Sequence, residues 1–241
     1  MIHKLSQKLT IALLALVSSA PVFAQRVQPM IFELAPFGRE AQTTLRVENT
    51  KQEPITIEVV ASRLALDVDG NETRTDAEED FLIFPPQAIV QPGKAQSIRV
   101  KYIGDPELAQ SQAYRVSVRQ VPIDLGEQAR SAVGMVVNFN TLANVVPQRS
   151  EAQPTVVSIT SAAEPQRWNL TLRNDGDRFV RLSETEWTVT DSQGRSQRLE
   201  KRQVAQLTDR NLLLPGSELN IQIPAIEGFH AATTQIAIHS P

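Results

Sequence analysis

The segment Gly134–Pro147, GMVVNFNTLANVVP, constrains the fold more than any other part of the chain. Apolar side chains fall on one face of it and three asparagines on the other; the apolar row contains Val133, Met135, Val137, Phe139, Ala143 and Val145. Alternation with a period of two predicts a β-strand. Most strands have only about five or six residues, so this one is long. Its apolar side chains must be shielded from water, either by the domain's own second sheet or by another chain. We predict that this strand lies at an accessible sheet edge.

The first half of the chain contains further strand patterns separated by turns. Apolar and polar residues alternate, or apolar residues cluster, in Gln42–Asn49, Ile55–Ala61, Phe81–Phe84, Ile98–Tyr102 and Tyr114–Val118. The polar segment Asn49–Pro54 predicts a hairpin between the first two, and Asp69-Gly70 predicts another turn. About seven short strands at this spacing are typical of an immunoglobulin-like sandwich.

A polar, proline-bounded segment separates this half from a second all-β block. Strand patterns resume in Val156–Thr160, Trp168–Arg173, Phe179–Leu182, Glu186–Thr190, Ser217–Ile223 and Thr234–His239. No segment has a convincing helical stripe of apolar residues. We therefore predict an N-terminal domain over residues 25–147, a linker over 148–153 and a C-terminal domain over 154–241.

Residues 1–24 have the pattern of a cleaved secretory signal. Lys4 and Lys8 precede the apolar run Ile11–Val17, and Ala24 supplies a small residue at the predicted cut. The run is too short to span a bilayer, which takes about 20 apolar residues. No second run of that length follows, so we expect no membrane insertion after the signal is removed.

Composition excludes several classes of function. A net charge of −3 gives no electrostatic case for binding nucleic acid. The absence of cysteine excludes thiolate metal sites and cysteine nucleophiles. Beyond the signal only His230 and His239 remain as histidines, and neither lies in a nucleophile or metal-ligand motif. We predict a non-enzymatic protein without a cofactor or a metal.

Four stretches together resemble the PapD-like periplasmic chaperones of chaperone–usher pilus assembly. Phe84-Pro85-Pro86, with Gln91-Pro92-Gly93 after it, resembles the proline-rich segment and turn of that family. Ser97–Val100 resembles the strand that follows, and Ala113–Pro122 resembles the sixth strand. Gly134–Pro147 occupies the position of the seventh, the donor strand. The order of the stretches behind a signal peptide strengthens the resemblance.

The resemblance implies two immunoglobulin-like β-sandwich domains in an L or boomerang arrangement. It also implies an activity, in which the chaperone inserts its seventh strand into the open groove of a pilus subunit and delivers the subunit to an outer-membrane usher. This donor-strand complementation is a form of β-strand addition. By position, Val133, Met135 and Val137 match the donor side chains of the family, and Phe139 extends the row.

The sequence departs from the family at the two basic residues that hold the carboxyl terminus of the subunit. Pro29 stands at the arginine position of the first strand and Leu142 at the lysine position of the seventh. This departure, with the pair Tyr114-Arg115, is more similar to the non-standard or archaic branches. We therefore expect Arg115 to be the carboxylate partner, with Arg119 as the second candidate.

A structural role is the alternative hypothesis. The chain would then be a two-domain immunoglobulin-like component of a surface fibre, and would need its own N-terminal donor arm of alternating apolar residues. The available segment, Gln25–Leu34, is short and contains Pro29, which argues against such an arm.

Overall fold

A computed structural model describes residues 25–121 and 137–240 of the chain. The predicted signal, 1–24, and the donor positions Val133 and Met135 lie outside the described residues. The regular secondary structure of the described part is almost entirely β-strand, so the predicted all-β fold of two sandwiches is confirmed. The sheets fall into two groups on either side of the predicted linker.

The first group, the N-terminal block, has ten strands. They are β1 (Arg26–Gln28), β2 (Ile31–Leu34), β3 (Gln42–Glu48), β4 (Ile55–Leu66), β5 (Glu72–Asp76), β6 (Phe81–Phe84), β7 (Gln87–Val90), β8 (Ala95–Tyr102), β9 (Gln112–Val121) and β10 (Asn138–Val145). One sheet has the order β1-β3-β8-β6, and the other has the order β2-β10-β9-β4-β5, with β7 beside β4. Their facing sides enclose one apolar core, in which Leu45, Ile98 and Val116 have no exposed surface.

The predicted hairpin between Gln42–Asn49 and Ile55–Ala61 is wrong. Strand β3 pairs with β1 and β8, whereas β4 pairs with β9, β5 and β7 in the opposite sheet. The turn carries the chain across the sandwich, and the buried side chain of Asn49 stabilises it by donating to the carbonyls of Glu53 and Val90, both at 2.8 Å. Period-two alternation identifies a strand but does not select its partner.

The second group, the C-terminal block, has eight strands and one short helix. They are β11 (Pro154–Ser161), β12 (Arg167–Asn174), β13 (Val180–Arg181), β14 (Glu186–Asp191), β15 (Ser196–Leu199), α1 (Lys201–Leu207), β16 (Leu212–Leu213), β17 (Glu218–Pro224) and β18 (Thr234–His239). The sheets have the orders β11-β12-β17, β13-β16 and β15-β14-β18. Trp187, Leu172 and Ile223 are fully buried in its core.

Helix α1 is an element that the sequence pattern did not predict. Only Val204 of its seven residues is buried, so it has no apolar stripe. A capping box stabilises it instead, in which Glu200 and Gln203 each bond the backbone of the other.

Four short 3-10 turns complete the described part of the chain, at Arg39–Ala41, Glu78–Asp80, Leu182–Glu184 and Ala231–Thr233. Among the described residues, no helix has the length and apolar character to cross a membrane.

Candidate functional site

Strand β10 has two halves with different surroundings. Residues Leu142–Val145 pair in parallel with Ile31–Leu34 of β2 on one side and antiparallel with β9 on the other. Residues Asn138–Thr141 pair with β9 alone. The prediction of an accessible edge is therefore wrong for Leu142–Val145. For Asn138–Thr141, no described strand lies on the second side.

The open half results from the way in which the chain enters the N-terminal block. Strand β1 pairs with β3 in one sheet, and β2 then pairs with β10 in the other. The change of sheet at Pro29 leaves no described strand paired with the second side of Asn138–Thr141. The amide of Leu142 donates to the Met30 carbonyl at 2.8 Å, which is the first bond across this side of β10. Met30 and Ile31 beside it are 43% and 42% exposed.

The predicted apolar row divides along the strand. Ala143 and Val145 are fully buried in the core of the N-terminal block, and Phe139 packs against the same core as a half-buried side chain. Val137 is also half-buried, just before β10 begins. On the opposite face Asn138 and Asn140 are exposed, as the alternation predicts, whereas Asn144 is fully buried.

A leucine occupies the position where the resemblance leads one to expect a lysine, and its surroundings are apolar. Leu142 is 8% exposed and belongs to a small cluster with Leu64 and Ala113. Leu212 and Leu214 of the C-terminal block pack against this cluster. A lysine ammonium group at this position would be surrounded by leucines, and burying an unpaired charge is costly. The substitution at Leu142 therefore fits the packing between the two blocks.

Arg115 lies next to Leu142 across the β9–β10 ladder, on the face of the sheet that turns toward the C-terminal block. Its guanidinium group already has a carboxylate partner. Nε lies 3.1 Å from both carboxylate oxygens of Glu72, and Nη2 lies 2.6 Å from Oε2. Both side chains are about one-quarter exposed. Glu72 also accepts a short hydrogen bond from Arg74.

The two arginines set the protonation of Glu72. Burial acts to raise the pKa of its carboxyl group, but hydrogen bonds from Arg115 and Arg74 outweigh that effect and lower the pKa below its ordinary value. At neutral pH the Glu72 side chain is therefore a carboxylate, held by two cations.

A cleft of about 280 Å³ between the two blocks brings further cations close to Arg115. Arg181 and Arg210 line it from the C-terminal block, and Glu72 and Asp209 are the carboxylates beside them. Arg181 pairs with Glu184 at 2.6 Å, and its buried Nε has no hydrogen-bond partner among the described residues. The sequence patterns did not identify Arg181 or Arg210, because only the packing of the second block places them here.

Arg119 lies apart from this cleft. It pairs across the sheet with Asn138 and Glu58, four residues further along β9, and its side chain is exposed. The guanidinium group of Arg119 has no hydrogen bond or ion pair with any described residue. The structure thus brings Arg115 to the cleft and leaves Arg119 on an open face.

Tyr114, which precedes Arg115, supports the sheet from the core. It is fully buried, and its hydroxyl lies 3.0 Å from Asp80 and 2.6 Å from Gln112. Its ring packs edge-on against Phe81 at 4.9 Å between centroids. Burial, with the nearby Tyr102 and Asp80, raises the pKa of this phenol well above its ordinary value. Tyr114 is therefore a neutral side chain that packs β9 on the core, while Arg115 lies on the opposite face of the strand.

The β4–β5 hairpin connects this site to the C-terminal block. Its turn is closed by Asp67, whose carboxylate accepts from the backbone of Asp69 and Asn71 at 2.9 and 2.8 Å. The Val68 carbonyl at its tip accepts from the Asn220 amide at 2.6 Å. The predicted turn at Asp69-Gly70 is confirmed, and Gly70 has the positive φ of 75° that favours glycine.

Comparison with known proteins identifies one family. Residues 36–146 match the family model described as pili and flagellar-assembly chaperone, PapD N-terminal domain. The sequence matches no curated protein.

Solved structures of pilus chaperones share the fold of the chain. The class 5 fimbriae chaperone CfaA matches with a TM-score of 0.57 at 14% identity, over 90% of this chain and 100% of that one. A chain of the chaperone–tip adhesin complex of CFA/I fimbriae biogenesis matches with a TM-score of 0.56 at 15% identity, over 90% of this chain and 99% of that one. A chain of the CsuC–CsuE pre-assembly complex, from the archaic Csu pili of Acinetobacter baumannii, matches with a TM-score of 0.52 at 12% identity, over 82% of this chain and 89% of that one.

Proposed function

The chain belongs to the PapD-like family of pilus chaperones, and on that premise we propose that it is a periplasmic, non-enzymatic chaperone of pilus subunits. It binds each subunit by donor-strand complementation and passes it to an outer-membrane usher. Two structural neighbours support pilus subunits as the partners: the chaperone–tip adhesin complex of CFA/I fimbriae biogenesis, and the SafA pilin of Salmonella enterica in complex with the SafB chaperone. The predicted signal over residues 1–24 supports the location.

The open side of β10 is the observation that carries this proposal. A strand with unpaired backbone groups on one side can pair with a strand of another protein and so complete the sheet of that protein. Here the open half, Asn138–Thr141, continues toward the N-terminus into Val133, Met135 and Val137. Alternate side chains at these positions would fill a groove in the subunit, each contributing about 1.5–3 kcal/mol on burial. Binding costs reduce that gain, but three or four such residues remain a substantial contribution.

Charged substitutions in the donor row test the proposal. Met135→Glu and Val137→Glu should each abolish co-purification of the chaperone with its pilus subunit, because a carboxylate cannot enter an apolar groove without a large desolvation cost. The partners in this test are pilus subunits from the same genome, each co-expressed with the chaperone in the periplasm. Asn138→Glu, which alters an exposed residue on the opposite face, is the matched control and should bind normally.

Stability of the isolated variants decides between a donor row and an ordinary core. The free energy of unfolding should change little in either variant. A loss of several kcal/mol would mean that the row belongs to the protein's own core, and unchanged subunit binding would also contradict the donor assignment.

We further propose that Arg115 receives the terminal carboxylate of the subunit in the cleft. Arginine can hold a carboxylate through two parallel hydrogen bonds, which is the geometry that Arg115 already makes with Glu72. A subunit carboxylate would replace Glu72 there, with Arg181 and Arg210 supplying further positive charge.

The anchor is tested with peptides that copy the last residues of the subunit. We expect the free acid to bind more tightly than the C-terminal amide, and Arg115→Ala to remove that difference while Arg119→Ala keeps it. An acid–amide difference that survives Arg115→Ala would exclude Arg115 as the anchor and leave strand pairing as the main contact.

A further inference from the structure

Strand β6 gives the N-terminal block a second open edge. It forms the end of the sheet β1-β3-β8-β6 and pairs with β8 alone among the described strands. All four of its residues, FLIF, are apolar. Natural edge strands are commonly protected by charged residues or proline, and β6 has neither within it. This edge is separate from β10, which lies in the opposite sheet.

The side chains of β6 alternate between the core and the solvent. Phe81 is buried and Ile83 packs on the core, whereas Leu82 and Phe84 are 56% and 70% exposed. Phe84 is the most exposed of the large apolar side chains in the described part of the chain. Two such residues on one open edge strand form an unusual apolar surface for a free protein.

Positive charge surrounds the two exposed side chains. Leu82 lies directly across the ladder from Lys101, and Phe84 lies across from Arg99. Neither charged side chain has an ion pair or a hydrogen bond with any described residue. On the remaining outer face of this sheet Arg26 and Arg46 share the single carboxylate of Glu48. The face is thus basic in a chain whose net charge is −3.

A shallow groove runs beside the open edge. Its walls are apolar at Val59, Phe81, Ile83 and Pro86, and its rim carries Glu58 and Glu78. The volume is about 380 Å³, enough for a few small side chains. A strand added to β6 would direct alternate side chains into this groove and the others onto the basic outer face.

We propose that the β6 edge and the outer face beside it bind an extended segment of a partner protein, in which apolar residues alternate with acidic ones. The apolar side chains enter the groove, and the acidic ones pair with Arg99 and Lys101 while covering Leu82 and Phe84. The rim carboxylates Glu58 and Glu78 repel acidic groups from the groove and so fix the register. A second copy of this chain is a poor occupant, because its β6 strand, FLIF, has no acidic side chain to pair with Arg99 and Lys101.

A pair of designed peptides tests the surface in the full-length protein. The probe is a fluorescent ten-residue peptide of alternating valine and glutamate, and its control replaces glutamate by lysine. The glutamate peptide should bind and the lysine peptide should not. Binding should weaken on going from about 0.01 M to about 1 M salt, as the Debye length falls from about 30 Å to about 3 Å.

Two double variants locate the contacts. The first combines Arg99→Glu with Lys101→Glu, and its new carboxylates repel those of the peptide. The second combines Leu82→Ser with Phe84→Ser and removes the apolar side chains that the peptide covers. Each should weaken binding about tenfold or more. The controls are Lys201→Glu with Arg202→Glu, on exposed positions of α1, and Val157→Ser, an apolar side chain that is 49% exposed on β11. The controls should bind as the wild type does.

Amide hydrogen exchange separates this edge from β10. The glutamate peptide should protect residues 81–84. Four outcomes would each overturn the proposal. They are protection of 138–141 instead, equal binding of both peptides, no measurable binding, and a dimer that disappears with the Leu82 and Phe84 substitutions. Protection of 138–141 would show that the peptide binds β10 instead; the other outcomes do not bear on subunit binding through β10.

Discussion

At the scale of single residues, the ion pair between Arg115 and Glu72 is the most specific feature of the site. The two groups are joined by bonds of 2.6 and 3.1 Å and are largely shielded from water. A charge-assisted bond of this kind contributes more than an exposed surface pair. The pair also keeps Arg115 oriented toward the cleft before any partner arrives.

Glu72→Gln should lower the free energy of unfolding at neutral pH by about 1–2 kcal/mol, because Arg115 loses its charged partner. The lowered pKa of Glu72 sets the pH dependence. A carboxyl whose pKa is depressed by folding contributes its stability above the unfolded value, about 4.3, and loses it as the pH falls through the folded value. The difference between wild type and variant should therefore be constant near neutrality and shrink below about pH 4.3.

Urea unfolding of both proteins from pH 7 to acid measures this dependence. Glu79→Gln is the control, since Glu79 is exposed and has no ion pair among the described residues. A difference that stays constant down to the most acidic sample would show that the charge of Glu72 does not stabilise the fold.

At the scale of elements, β10 combines a fixed half with an open half. The amides of Leu142 and Val146 donate to Met30 and Leu34, so the N–H groups of even-numbered residues point away from β9. By alternation, those of Asn138 and Asn140 point to the side where no described strand pairs.

We expect the amides of Asn138 and Asn140 to exchange with solvent faster than that of Thr141, which faces β9. Binding of a pilus subunit should slow both, because strand addition gives them acceptors. Residue-resolved hydrogen exchange on the free and bound chaperone measures the change. Slow exchange at both positions in the free protein would mean that this side of β10 is already covered.

At the scale of the whole molecule, several contacts fix the two blocks against each other. Ser111, in the loop before β9, is buried; its hydroxyl accepts from the Phe179 amide at 2.7 Å and its amide donates to the Asp177 carbonyl at 2.8 Å. Arg178 adds an ion pair with Glu33 at 2.7 Å, which is partly exposed and so contributes at most about 1 kcal/mol. The buried bonds of Ser111 are therefore the stronger constraint on the cleft.

Ser111→Ala should destabilise the protein by about 1–3 kcal/mol, because the buried amide of Phe179 loses its acceptor. Small-angle scattering should show a wider range of separations between the blocks. Ser158→Ala is the control, since Ser158 is exposed on β11 and its hydroxyl has no hydrogen bond among the described residues. Equal stability and equal scattering for the two variants would show that Ser111 does not hold the junction.

The sequence by itself determined that the fold is built of strands and, along β9, which face most side chains take. Tyr114, Val116 and Val118 are buried as their alternation predicts, and Arg115 and Arg119 point to the other face. Such patterns are readable because burial repeats every two residues within one strand, whatever lies beyond it. The sequence pattern did not predict helix α1, because one buried valine in seven residues makes no periodic pattern.

Tertiary structure alone decided which strands pair and which charges meet. Glu72 reaches Arg115 from 43 positions away, and Arg181 and Arg210 come to the same cleft from another block. One half of the β10 edge is closed because the short strand β2 joins its sheet. Strands β3 and β4 lie in opposite sheets although they are neighbours in sequence. These outcomes depend on register and on packing between distant segments, which local alternation does not encode because many pairings satisfy the same alternation.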